Sequence, residues 1–259
     1  MVDYNTYETL KTESLDSGIL VVSLNRPQKL NAMNRQMVKD LVDLWTRLQH
    51  DLETRVVILR AEGEKGFCGG MDVADVFQPD MMKAPVLYDF QYDLGKIEIA
   101  MRQIPQPIIC VVHGAAAGAG MSFALASDIR IISPDARFNA AFINVGIGGA
   151  DMGSSYFLPR LIGAGRAYEL MLTGRFMKAD EAMQLGFASR CVEKEKLMET
   201  AMEIARVIAG KDPLVIKLTK EAINQNIDCA GLEAAIHMEN RNQAFIIAHN
   251  LQLAAAQKG

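Results

Sequence analysis

Cysteine is scarce in this chain: four residues in 259, at positions 68, 110, 191 and 229. None stands in a C-x-x-C spacing. The four histidines (His50, His113, His237 and His249) do not cluster with them, so the pattern offers no zinc site. The thiols read as reduced, and a cytoplasmic setting is expected. Long hydrophobic runs are also missing. No stretch of about 18 uncharged apolar residues occurs, so no membrane span is expected. Residues 1–18 lack a basic region followed by an apolar core, and no secretory leader is expected from them. Nor is there an excess of one charge: 27 Lys and Arg stand against 31 Asp and Glu, for a net charge of −4. A nucleic-acid surface needs a basic stripe, and none is visible. The helix predicted near the N-terminus carries Arg35, Lys39 and Arg47 but also Asp40 and Asp43. No internal repeat and no Ser/Gly/Pro-rich linker divides the chain, so one structural unit is expected.

What the chain does have is a core-forming pattern. Half of its residues are hydrophobic, enough for one large core. Ile19–Asn25 is a buried-strand run, followed by a loop broken at Pro27. Met37, Leu41, Leu44, Trp45 and Leu48 recur at helical spacing, which predicts an amphipathic helix from Arg35 to about His50. Further strands are predicted at Val56–Leu59, Pro107–Val112 and Asp128–Ser133. Helices are predicted at Leu94–Arg102 and Met121–Ala126, with a small-residue turn over His113–Gly120. Residues 72–87 mix proline and methionine without a readable period. Beyond Ser133 the chain reads as mostly helical: Ser154–Leu161, Arg166–Leu172, Ala179–Leu185, Lys194–Ile208, Pro213–Asn226 and Leu232–Asn250. Strand–helix alternation with a helical tail predicts an α/β fold.

Three segments carry chemistry in a fixed order: Asn25–Met33, Gly66–Val73 (Gly-Phe-Cys-Gly-Gly-Met-Asp-Val) and Pro107–Asp128 with its Val112–Gly120 run of glycine and alanine. Each alone reads as an ordinary turn, loop or solvated surface. Together, and with Leu172–Gly174, Ala179–Ala182 and Leu185–Ala188 downstream, they resemble the crotonase superfamily over nearly the whole chain. The resemblance implies a spiral of ββα units over residues 1–195, with residues 196–259 forming a C-terminal helical region that mediates trimerisation. It implies a homotrimer, or a hexamer built from two trimers. It implies an acyl-coenzyme A thioester as substrate, no separate cofactor and no metal. It places Arg26, Lys29, Leu30 and Ala32 at the coenzyme A moiety, and Cys68, Gly70, Asp72, Val73, Ala117, Gly118, Ser122 and Phe142 around the thioester and acyl chain. The N–H groups of Met71 and Ala119 are its enolate-stabilising donors. Such backbone donors act where charge develops, and small residues let them approach closely. Ala119 occupies a position where glycine is usual.

Hydratases of this superfamily set two glutamates over the thioester. Here those positions hold Ser122 and Phe142. An acid appears instead at Asp151, in a Val145–Tyr156 segment resembling dienoyl-CoA isomerases and 4-chlorobenzoyl-CoA dehalogenases. The dehalogenases add a histidine on the helix before the strand that matches Pro107–Val112, near Gly95 here, and that helix has none. Asp151 reads as the proton-transfer group, with a helix N-cap as its structural alternative. Desolvation by Phe142, Phe138 and Ile147 would raise its pKa toward neutrality. Ser122, Asn144 or Tyr156 could assist it. Hydration of a 2-enoyl-CoA, double-bond isomerisation by a single carboxylate, and acyl-CoA binding without turnover remain open at this level. His113, Asp128 and Glu169 read as structural, and the methionines as core or as an adaptable acyl wall.

Overall fold

The computed structural model describes residues 4, 6–81 and 83–256. Its frame is a six-stranded sheet: β1 (Leu10–Leu15), β2 (Ile19–Leu24), β3 (Val56–Ala61), β4 (Ile108–Val112), β6 (Ile129–Ile132) and β9 (Arg190–Cys191), in that spatial order. β1 pairs antiparallel with β2, and every other pair is parallel. A small second sheet joins β5 (Ala115–Ala117), β7 (Arg137–Asn139) and β8 (Met177–Lys178).

The central strands are apolar on both faces, as parallel strands covered on both sides must be. Leu20, Val22 and Leu24 face the larger core, while Ile19 and Val21 face a second one. Against the first lies α1 (Arg35–Leu48), whose Met37, Leu41, Leu44, Trp45 and Leu48 are fully buried. Each such side chain contributes roughly 1.5–3 kcal/mol by leaving water. The helix starts where the Asn34 side chain accepts the Met37 N–H at 3.0 Å. The second face is covered by α8 (Leu197–Ala209) through Leu197, Ala201, Ala205 and Ala209.

Three isolated bridges stitch the loops above the sheet: Met33 with Met71, Gly66 with Gly114, and Cys68 with Ala116. Short α2 (Val73–Val76) and long α3 (Ala84–Gln103) occupy the segment whose period was unreadable, and α3 starts ten residues before the expected Leu94. The turn expected over His113–Gly120 instead contains β5, and α4 (Ala119–Ala126) begins two residues earlier than expected. β1, β7, β8 and β9 were not expected. The helical tail is as expected: α5 (Ser154–Ile162), α6 (Ala164–Thr173), α7 (Ala179–Gln184), α8, α9 (Pro213–Asn226) and α10 (Leu232–Ala256). No described helix is long and apolar enough to cross a membrane.

Candidate active site

The three chemistry-bearing segments lie side by side. The Leu30 carbonyl accepts the Gly69 N–H at 2.8 Å, Met33 N–H donates to the Gly70 carbonyl at 2.7 Å, and Asp72 N–H returns to the Met33 carbonyl at 2.9 Å. Cys68 N–H donates to Ala115 and Ala117 N–H donates to Cys68, at 3.0 and 2.9 Å. Contact is closest at Gly120, where a Cβ would stand 2.6 Å from the Cys68 carbonyl oxygen, so glycine is required there. Leu30 and Asn31 both hold φ of +50°, a strained backbone that fixes the turn at the head of the first loop. Buried Asn31 secures it, accepting the Arg26 N–H and donating to the Glu62 carbonyl.

Arg26 does more than line this loop. Its guanidinium pairs with Asp72 at 2.9 Å and also donates to the Ala32 carbonyl, so it ties the first segment to the second. Lys29 is exposed beside it, as is Val73. Cys68 is fully buried, and burial pushes its thiol up to about 12, which keeps it protonated and inert.

Met71, in the 66–73 loop, and Ala119, the first residue of α4, each follow a glycine, Gly70 and Gly118, and those two glycines lie against each other. Neither backbone N–H donates to an acceptor among the described residues. A Cβ at Gly118 would lie 3.7 Å from the Gly70 Cα and 3.5 Å from the Phe142 ring, which places Phe142 at the junction. Ser122 lies one turn into α4, fully buried, with a hydroxyl that has no partner among the described residues.

Asp151 stands on another wall, just ahead of α5. Its side chain does not cap that helix: Oδ1 accepts the adjacent Met152 N–H at 2.8 Å and the Gln91 Nε2 at 2.5 Å. Burial raises its pKa, and those two donors pull it back down. The apolar wall differs from expectation. Phe138 turns into the core against Phe187, with ring centroids 4.7 Å apart, and Ile147 is 43% exposed. The side chains proposed to assist also sort out. Asn144 donates to the Gly174 carbonyl at 2.9 Å, and the Tyr156 hydroxyl donates to Asp228. Asp128 pairs over long sequence distance, with Arg102 at 2.7 Å and Lys220 at 2.8 Å, rather than locally. His113 is structural, with Nε2 2.9 Å from the Gly63 carbonyl. Met33, Met37, Met101, Met121 and Met177 are plain core.

Sequence reasoning missed α3's contribution. Gln91 holds Asp151, and Glu98 is 3% exposed with neither carboxyl oxygen hydrogen-bonded among the described residues. The signal was present: Leu94, Glu98 and Met101 recur at i, i+4 and i+7, which sets a carboxylate on a buried stripe.

Loops bridged above the sheet thus carry two backbone donors without acceptors among the described residues, and a partly buried carboxylate stands on a separate wall, a set of groups suited to stabilising an enolate. Residues 14–256 match the family model for enoyl-CoA hydratase/isomerase. The chain is 37% identical to "Probable enoyl-CoA hydratase echA12" of Mycobacterium leprae, over 92% of this chain and 83% of that protein. It is 30% identical to the human mitochondrial Delta(3,5)-Delta(2,4)-dienoyl-CoA isomerase, over 95% of this chain and 78% of the other. The crystal structure of an enoyl-CoA hydratase from Bacillus anthracis superposes with a TM-score of 0.88 at 31% identity, covering 96% of this chain and 95% of that one. The chain belongs to the enoyl-CoA hydratase/isomerase family, the crotonase superfamily, and is an enzyme of that family.

Proposed function

We propose that this enzyme adds water across the double bond of a 2-enoyl-CoA thioester, through an enolate held by the N–H groups of Met71 and Ala119. The observation that carries this reading is that pair of unspent donors on loops in contact at Gly70 and Gly118. The thioester oxygen would take both, at a site where loss of one such donor costs about 3 kcal/mol. Coenzyme A itself enters as part of the substrate, with no separate cofactor or metal. Its phosphates would meet exposed Lys29, and its pantetheine arm the Leu30–Ala32 backbone. Asp151 is the proton-transfer group, favoured by its desolvation and by its freedom from any helix-capping role. The active form is read as a homotrimer, alone or paired as a hexamer.

A second reading, double-bond isomerisation, is favoured by Ser122 and Phe142 where hydratases carry glutamates. One carboxylate suffices to move a proton between carbons. The test is direct: crotonyl-CoA, a 3-enoyl-CoA and a 3,5-dienoyl-CoA are incubated separately while thioester absorbance is followed. Loss of the conjugated signal from crotonyl-CoA, cut roughly 100- to 10,000-fold in Asp151→Asn, supports hydration. Turnover of the unconjugated substrates alone makes it an isomerase. No turnover of any, with tight acyl-CoA binding, leaves a binding protein.

A further inference from the structure

An enolate-stabilising donor works best when its aim is fixed before charge develops, because no reorganisation is then needed at the moment of reaction. Upstream, Met71 has little to fix it. It follows Gly69 and Gly70, the residue type with the greatest backbone freedom, and Gly70 holds φ of +99°. The neighbouring loop supplies the restraint. Met33 N–H donates to the Gly70 carbonyl, and the Met33 carbonyl accepts the Asp72 N–H. Two bonds thus bracket Met71 and leave its own N–H without an acceptor among the described residues. The bracket is an isolated bridge of one residue pair, not a ladder. On the other side, a Cβ on Gly70 would stand 3.2 Å from the Ala117 carbonyl oxygen, so the bridged peptide lies directly against the segment that leads to Ala119.

An ion pair reinforces this bridge on both of its strands. Arg26 sends one guanidinium nitrogen to Asp72 Oδ2 at 2.9 Å, on the residue after Met71. It sends another to the carbonyl of Ala32, the residue before Met33. One side chain therefore spans the same two loops that the bridge joins. Its base is rigid: the Arg26 carbonyl accepts the Lys29 and Asn31 N–H groups, both at 2.9 Å, and its own N–H donates to Asn31 Oδ1 at 2.8 Å. Asp72 is equally committed. It precedes α2, where an aspartate ordinarily caps the helix, but its carboxylate makes no capping bond. Only its carbonyl serves α2, accepting the Asp75 and Val76 N–H groups at 3.0 Å. The two side chains are 15% and 12% exposed, so the pair sits largely out of water. A charge-assisted bond is strong there, and a charge left without its partner is costly.

From this arrangement we propose that Arg26 and Asp72 are positioning residues for the reaction: their ion pair sets the direction of the Met71 N–H and with it the shape of the oxyanion hole. The inference rests on the donor role read for Met71. It holds for hydration and isomerisation alike, since both place charge on the same thioester oxygen. Neither side chain needs to touch the thioester. Asp72 acts through the backbone that it continues from Met71. Arg26 acts through Asp72, and through Ala32, whose carbonyl it holds next to Met33. With the pair broken, the freedom of Gly70 lets the Met71 backbone turn, and the donor leaves its line to the oxygen. A misplacement of about 1 Å in such a group costs on the order of 100-fold in rate.

The test uses the full-length enzyme, with Asp72→Asn, Arg26→Lys and the double variant Arg26→Met/Asp72→Asn beside the parent. The double variant removes both charges at once, leaves neither orphaned, and serves where a single change prevents folding. Folding is checked by circular dichroism. Butyryl-CoA, which has no double bond to hydrate or shift, is bound to each protein, and its thioester carbonyl stretch is followed by isotope-edited infrared spectroscopy. Aligned donors lower that stretch. The parent should show a lowered band. Asp72→Asn and the double variant should return it toward the free thioester, with kcat for crotonyl-CoA down about 10- to 100-fold and KM within about threefold. Arg26→Lys, whose ammonium cannot fork to both acceptors in the same geometry, should fall between. Folded variants that keep the parent's band and its kcat would overturn the proposal. So would a rise in KM with kcat and band unchanged, which would make Arg26 a coenzyme A contact instead. A parent with no lowered band would remove the donor role of Met71 and the proposal with it. A parent that lowers the butyryl-CoA band but does not hydrate crotonyl-CoA would sink only the hydratase reading, and the band alone would then judge the pair.

Discussion

At the scale of single residues, the proposed role of Asp151 and the burial of Glu98 each carry a pH prediction. A base works only when ionised, and burial has raised the Asp151 pKa above the ordinary carboxylate value of 3.8. With Asp151 as the proposed base, activity is expected above the raised value and should be lost as pH falls through it. The Gln91 hydrogen bond favours the ionised form, so Gln91→Leu should shift the acid limb of kcat further up, a displacement visible in a pH–rate profile. Glu98 acts on stability with the opposite sense. Its folded pKa lies well above its ordinary 4.5, so the folded state holds a proton that the unfolded chain has released. Its contribution is complete below 4.5 and fades as pH rises toward the folded value. Thermal melts should show the parent losing Tm across that interval and Glu98→Gln following a flatter curve. An unchanged slope would mean that Glu98 is ionised in the fold. Asp151 was legible because it interrupts a run of glycine and small residues ahead of a helix. Glu98 was not, since a glutamate in a helix ordinarily faces water and only the burial of Leu94, Ile97 and Met101 around it says otherwise.

Among elements, legibility followed amphipathic contrast. α1 was readable to within two residues because five large apolar side chains repeat along one stripe and Asn34 caps its start. Asn34→Ala should cost about 1 kcal/mol by chemical denaturation. α3 was half-readable. Its first turns, Ala84–Tyr92, are largely exposed, and its buried stripe begins only at Leu94. β5 is three alanines, a composition with no strand preference of its own. It becomes a strand because Cys68 on one side and Asn139 on the other offer backbone partners. β1 escaped notice as an edge strand with only Leu10 buried. The loops meet through glycine, so Gly120→Ala, with its methyl 2.6 Å from the Cys68 carbonyl, should push the 66–72 and 114–120 segments apart. Both Met71 and Ala119 depend on that spacing. Turnover should fall far more than global stability, and the ratio of kcat loss to Tm loss measures it.

Across the whole molecule, the contrast is between the sealed core and the last helix. α10 runs from Leu232 to Ala256, and Ile246 is its one buried side chain among the described residues. Leu232, Ile236, Phe245, Ile247, Leu251 and Leu253 are each at least 41% exposed. A monomeric soluble protein rarely leaves so large an apolar surface uncovered. The helix preceding it is differently anchored. Lys220 of α9 is buried, donates to the Gln106 carbonyl at 2.8 Å and pairs with Asp128, which fixes α9 to the ends of α3 and β4. Thus α9 is anchored to the core, while α10 packs on α9 and leaves these apolar side chains exposed, where the proposed homotrimer would cover them. Replacing Phe245 and Ile247 together by glutamate puts charge on that surface without touching either core. Sedimentation velocity should then show the oligomer falling to monomer while the far-ultraviolet spectrum is kept. A parent protein that already sediments as a monomer at micromolar concentration would refute the assignment. In that case, α10 would have to fold back over its own subunit, and the same double substitution would lower Tm instead of changing mass.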